Sequence, residues 1–348
     1  MRSRRLIFVT LLLLFGSASM DAAESSYQPP APSLEVAAVL YQWHDASRNR
    51  DVPVKIYYPA RGSGPFPIII FSHGLGGSRE GYENFGRSWA GCGYVSVHLQ
   101  HLGSDDGVWK NAGPLGVAAA LYQSVSDVSN AINRARDVSF GIDQTLKLNT
   151  GKDSPLRGRL DTARIGMAGH SFGAWTTMAV VGEKIHPADP SLADPRITAA
   201  IAMSAPVPRL PADRDRAFLG ITTPVFHMTG TLDDSPIGET RAAERRIPFD
   251  EMNKAETCLV IFNGADHMTF AGHIVPRTSD AEFQPLIVAG SIAFWDAYLK
   301  GNAAAKNWLY NGGFAQFIGA KGTFEKKLPA PKVVAAAVPA ASLEPSRR

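Results

Sequence analysis

The sequence predicts an α/β fold, a mostly parallel sheet with helices on both faces. Three observations carry that expectation. Strand-length apolar runs alternate with helix-like stretches along most of the chain. Some runs, such as "FPIIIFSHG", are apolar throughout, as strands buried on both faces are. In "RIGMAGHSFGAWTT" (164–177) a strand-like run turns directly into a helix-like one, with Ser171 set between Gly169 and Gly173. With 348 residues, 45% hydrophobic and 19% charged, the chain has room for one large α/β domain or two small ones.

The elements follow in order. "SLEVAAVLYQW" and "DVPVKIYYPA" read as paired outer strands after a Pro-rich leader. "FPIIIFSHG" is the first buried strand; "SREGYENFGRSWAGCG" reads as a helix and "YVSVHLQ" as the next strand. Residues 114–148 carry Leu121, Val125, Val128, Ile132, Val138 and Ile142 at helical spacing. "RIGMAG" and "AWTTMAVVGE" flank Ser171 as strand and helix. "ITAAIAMSAP", "TPVFHMTG" and "CLVIFNG" are three further strands, with a helical run, "IGETRAAERRIPFDEMNKA", before the last. The helix "PLIVAGSIAFWDAYLKG" closes a domain expected over residues 34–322. Fewer than twenty residues separate "AMSAP" from "TPVFHM", so no large lid domain is expected there. The Ala/Pro-rich stretch 326–348 has no polar–apolar period and is expected to be disordered.

Residues 1–22 have a basic head, an apolar run from Leu6 to Phe15 and small residues after it. That is the layout of a secretory signal peptide, and the apolar run is too short to span a bilayer comfortably. The expected product is exported, periplasmic or extracellular, with no stable membrane anchor after cleavage; an uncleaved anchor is the alternative. The full chain carries a net charge of +3, and without the residues 1–22 it holds 32 basic against 31 acidic residues. No basic face for nucleic acid follows from such a balance. The two cysteines, Cys92 and Cys258, precede strands expected to lie far apart in the sheet, so two buried thiols without a bridge are expected.

A serine hydroxyl attacks only with a base in reach, an acid behind the base and donors for the oxyanion that forms. Small residues at 169 and 173 suit a tight strand-to-helix elbow, and the helix that starts after Ser171 aims its N-terminal amides at the developing charge. The chain order in such folds is serine, acid, histidine, each at the C-terminal end of a strand. "PVFHMTG" ends in "TLDDSP", which offers Asp233 and Asp234. Asp233, three residues past Gly230, is preferred as the acid, with Asp234 as a helix cap. "CLVIFNG" ends in "ADHMTF" and offers His267 as the base. The backbone amides of Phe172 and of Leu75, in the glycine-rich loop "SHGLGGS", are the expected oxyanion donors.

"FSHGLGGSREGYENFGRSWAGCGYVSV", "GRLDTARIGMAGHSFGAWTT" and "FNGADHMTF" resemble α/β-hydrolases of the dienelactone-hydrolase-like and platelet-activating-factor-acetylhydrolase-like group. The resemblance spans roughly residues 50–300. It implies an α/β-hydrolase fold with an eight-stranded sheet, Ser171 as nucleophile, His267 as base, and Leu75 and Phe172 as oxyanion donors. Two departures stand out. Dienelactone hydrolases use a cysteine nucleophile, whereas this chain has Ser171. The acetylhydrolases carry their acid after the sixth strand, which here ends "AMSAPVP" without a carboxylate.

His98, His101, Asp105 and Asp106 in "HLQHLGSDD" suggest a metal site at first glance, but they do not converge from one rigid element and are expected as pocket wall. His227 is expected in the core, and His170 as a support for loops beside the elbow. Trp109 and Tyr122 are expected either along the pocket or in the core. The expected function is an exported serine hydrolase that cleaves carboxylic esters of small molecules through an acyl-enzyme on Ser171, with no metal or cofactor. The alternatives are hydrolysis of another acyl bond, of a polyester or of a phospholipid's short acyl chain by the same residues, and a non-catalytic binding scaffold.

Overall fold

The computed structural model describes residues 27–329 except 187–188, 209–210, 238–239 and 272–276. The expected signal peptide and the part of the expected tail from residue 330 onward lie outside the described residues. The strands are β1 (Val36–Asp45), β2 (Arg50–Pro59), β3 (Phe66–Ser72), β4 (Val95–Leu99), β5 (Leu160–His170), β6 (Ile197–Met203), β7 (Val225–Leu232), β8 (Thr257–Asp266) and β9 (Gly322–Lys327). The helices are α1 (Glu83–Gly91), α2 (Gly107–Lys110), α3 (Gly113–Ser126), α4 (Val128–Leu148), α5 (Phe172–Val181), α6 (Pro211–Ala217), α7 (Ile247–Glu251), α8 (Thr278–Tyr298), α9 (Ala303–Tyr310) and α10 (Gly313–Ile318).

All nine strands join one sheet in the order β1-β2-β4-β3-β5-β6-β7-β8-β9. From β4 to β8 every pairing is parallel, and antiparallel strands close both edges: β1 and β2 on one side, β9 on the other. This is the mostly parallel α/β-hydrolase sheet, with one strand beyond the expected eight. β9 pairs Lys326 with Cys258 and includes two residues of the stretch expected as tail. Its polar sequence, GTFEKK, hides the strand because only one face of an edge strand is covered.

Two apolar layers hold the sheet between helices. One gathers Ile68, Ile70, Val95 and Val97 beneath Val138 and Ile142 of α4. The other packs Ile69, Phe71 and Ile201 against Trp89 of α1 and Phe294 and Trp295 of α8. Each large side chain removed from water contributes about 2–3 kcal/mol, so the layers fix the strands whose C-terminal ends carry the loops.

Two helical expectations differ in detail. The periodic stretch 114–148 is two helices, broken at Asp127, whose carboxylate caps α4 by accepting from Ser129 N–H at 2.8 Å. Val138 and Ile142 reach the core, but Val128 stays largely exposed and Leu121 and Val125 are half-buried. Among its described residues the run 237–255 contains only a 3-10 turn (Ala242–Glu244) and the five-residue α7, where Pro248 occupies the first turn. Between β6 and β7 the short α6 is the only described helix, with no large lid. Both cysteines are free thiols; Cys258 is buried as expected, whereas Cys92 caps α1 at the surface edge and is half-buried.

Candidate active site

The elbow is built by backbone strain. Ser171 holds φ 56° and ψ −119° between β5 and α5, a conformation that L-residues avoid. Its amide donates to Met203 O at 2.9 Å, and Trp175 N–H returns to its carbonyl at 3.1 Å. A Cβ at Gly169 would strike the Gly173 carbonyl, and one at Gly173 would strike the Ser72 carbonyl, so backbone occupies both spaces. Gly173→Ala is therefore expected to destabilise the fold by about 3 kcal/mol or more, read as a fall in Tm. A Tm within a degree of the parent would contradict the packing described.

Ser171 Oγ lies 2.9 Å from His267 Nε2, and His267 Nδ1 lies 2.7 Å from Asp233 Oδ1. Thr229 Oγ1 donates to the other oxygen, Asp233 Oδ2, at 2.7 Å. Asp234 is exposed and points elsewhere, accepting from Ala242 N–H at 2.8 Å as a cap. Burial works against the Asp233 carboxylate, but the His267 hydrogen bond and the Arg245 charge outweigh it and hold the acid below its ordinary range. An ionised Asp233 requires the proton on Nδ1, which leaves Nε2 lone-paired toward Ser171.

The loop after β3 faces the same point. Gly74 N–H donates to Tyr82 Oη, Gly76 N–H to Ser104 O and Gly77 N–H to Gly74 O. Leu75 N–H, between them, has no acceptor among the described residues. Phe172 is the first residue of α5, so its amide has no intrahelical acceptor either. Phe172 follows Ser171 directly, and Leu75 lies in the loop after β3, at the end of the sheet where β3 has β4 on one side and β5 on the other.

Three residues that sequence reasoning missed, Arg134 and Arg245 buried and Tyr82 half-buried, brace this arrangement. Arg134 of α4, fully buried, donates to the His73 carbonyl, to Thr176 Oγ1 at 2.9 Å and to Ser104 Oγ at 2.9 Å, and its guanidinium lies 4.5 Å from the Phe172 ring centre. Tyr82 Oη, besides accepting from Gly74, bonds His170 Nδ1 at 2.9 Å, and His170 Nε2 meets the His267 carbonyl at 3.0 Å. His170 therefore supports loops, as expected, and links the Gly74 loop to the His267 loop. Arg245 donates to Ser204 O at 2.8 Å and Asp233 O at 3.1 Å, with Nε 3.5 Å from the Asp233 carboxylate. The one sequence signal for Arg134 is its place beside the apolar positions of α4. Arg245, inside "AAERR", reads as solvated surface.

The expected pocket wall is not one. His98 is buried and stacks on Phe71, with ring centres 4.8 Å apart. His101 is buried between Ser72 Oγ at 2.9 Å and Asp137 Oδ2 at 3.0 Å. Asp105 accepts from Gln100 at 2.7 Å and Asp106 pairs with Lys110. The four side chains serve separate networks, because alternate residues leaving β4 face different layers. Trp109 and Tyr122 lie neither in the core nor along the groove described below; Trp109 is exposed and donates to Gly76 O at 2.8 Å. His227 is in the core, as expected, with both ring nitrogens unpartnered among the described residues.

Comparison with known proteins agrees with this architecture. A family model described as PET hydrolase-like matches residues 28–279. Platelet-activating factor acetylhydrolase from Canis lupus familiaris is 24% identical over 239 residues, covering 61% of this chain and 50% of that protein. The Cavia porcellus enzyme of that name is 26% identical over 155 residues, covering 38% of this chain and 35% of its own. The Bos taurus one is 24% identical over 233 residues, covering 59% and 48%. The chain thus spans half or less of the length of these curated relatives. The family match covers most of the chain, and the chain belongs to the PET hydrolase-like family of α/β-hydrolases.

Proposed function

We propose that this PET hydrolase-like family member is an exported serine hydrolase that cleaves carboxylic esters. The observation that carries the reading is the hydrogen-bonded chain Ser171–His267–Asp233, and the Leu75 and Phe172 amides, without an acceptor among the described residues, support it. In this reading His267 Nε2 takes the Ser171 proton as Oγ adds to the ester carbonyl. The Leu75 and Phe172 amides hold the oxyanion, and Asp233 stabilises the imidazolium. The imidazolium then protonates the departing alcohol, and a water deprotonated by His267 releases the acid from Ser171. Every step uses side chains, backbone amides and water.

Export rests on the character of residues 1–22, and no described helix is long and apolar enough to cross a membrane. The lack of a large lid between β6 and β7 favours esters that reach Ser171 from the open face. The test is hydrolysis of p-nitrophenyl esters of increasing acyl length by the purified mature chain, beside labelling of Ser171 with an alkyl fluorophosphonate. Turnover with labelling at that serine is expected. A folded protein that neither hydrolyses nor labels would leave the binding-scaffold reading in its place.

A further inference from the structure

A groove of about 410 Å³ runs beside α5. Phe172 and Trp175, close to Ser171 in the chain, line it together with Val125, Val128, Pro206 and Val207. Here the half-buried Val125 and the exposed Val128 of the α3–α4 junction find their use. The lining also includes Glu183, two residues past the end of α5, and Lys184 and Asp213 are the other charged residues in it.

Glu183 is out of place by the rules of helix ends. Its N–H donates to Met178 O at 2.8 Å and that of Gly182 to Ala179 O at 3.1 Å, the two bonds of a Schellman motif. That motif ordinarily has an apolar residue at this position, packed back on the helix. Here it has a carboxyl that is 4% exposed, with Oε2 unpartnered among the described residues. The negative end of the helix dipole is also an unfavourable neighbour for a carboxylate. Burial pushes the acid well above its ordinary range, so the group is neutral and has an O–H to give. An unsatisfied buried carboxyl costs stability that the fold does not require, and Glu183 is part of the groove's lining.

We infer that the groove seats one arm of the ester substrate, apolar along its length and bearing a neutral hydrogen-bond acceptor, such as a second ester carbonyl, that accepts from Glu183. This rests on the esterase reading above. The test compares kcat/KM for dimethyl alkanedioates with methyl alkanoates of matched length, and for α,ω-diol diacetates with alkyl acetates. The two series place the acceptor on the acyl or the alkoxy arm. The wild type, Glu183→Gln and Glu183→Met are assayed, with Tm for each.

In the wild type, the acceptor-bearing ester is expected to be preferred by about tenfold in one series. Glu183→Gln, which keeps a neutral donor of the same shape, retains most of that preference. Glu183→Met loses it while still hydrolysing the hydrocarbon esters, and its Tm rises by about 3 °C as the unsatisfied carboxyl is removed. Three results would overturn the inference: no preference in either wild-type series, a preference surviving in Glu183→Met, or a Met variant with lowered Tm and both ester types slowed alike. A folded wild type that hydrolyses no ester would instead sink the esterase reading itself.

Discussion

Ser171→Ala is expected to lower kcat about a millionfold, and Asp233→Asn about ten-thousandfold, whereas Asp234→Asn leaves kcat within a few fold. The contrast between the two neighbouring aspartates follows from where their carboxylates go. Asp233 is buried, 2.7 Å from His267 Nδ1, and its charge offsets both the imidazolium of the reaction and the Arg245 guanidinium 3.5 Å away. An asparagine there offers only a neutral amide, so it neither selects the Nδ1–H tautomer nor balances those two cations. Asp234 caps the Ala242 turn from the surface, a contact worth about 1 kcal/mol of stability. Steady-state kinetics on one soluble ester, with Tm measured in parallel, decide the matter. An inactive Asp234→Asn beside an active Asp233→Asn would reverse the assignment of the acid.

The legible and illegible parts of the molecule separate along a physical line. Ser171, Asp233 and His267 stand out because each follows an apolar strand run, and a parallel sheet brings all such ends to one edge. The elbow glycines stand out because backbone fills the space where their Cβ atoms would lie. Helix limits were harder to read: the apolar period runs through Asp127, and only the cap geometry shows the break. Arg134 and Arg245 leave almost no trace, since a buried arginine has the composition of a surface one. Its burial depends on the carbonyls of His73 and Ser204, just past β3 and β6 and far away in sequence. The histidines mislead for the same reason. His98 and His101 are three residues apart, yet one stacks in an apolar layer and the other bonds Asp137.

Those buried histidines lead to the second large effect: the fold is expected to fail in mild acid. His73, His98, His101, His170 and His227 are all within 2% of complete burial. Desolvation leads the causes in each, pushing His98 and His227 down to about 3, His101 to about 4, and His73 and His170 well below the usual value. The sign follows from proton counting. The unfolded chain binds a proton at each histidine below about pH 6.5 and the folded chain does not, so stability is whole above that pH and drains away as pH falls toward the folded values. By pH 5 each of His98, His101 and His227 costs about 2 kcal/mol relative to pH 7, roughly 6 kcal/mol for the three, and His73 and His170 act in the same direction. Glu183, raised rather than lowered by burial, works in the opposite direction and offsets part of that loss. The net loss is a large part of the whole stability of an ordinary domain. Tm followed from pH 7.5 down to pH 4.5 should therefore collapse near pH 5. His227→Leu, which removes one histidine with no hydrogen-bond partner, should raise Tm at pH 5 more than at pH 7. A Tm that stays level between pH 7 and pH 5 would mean that these rings take up protons inside the fold, against their burial.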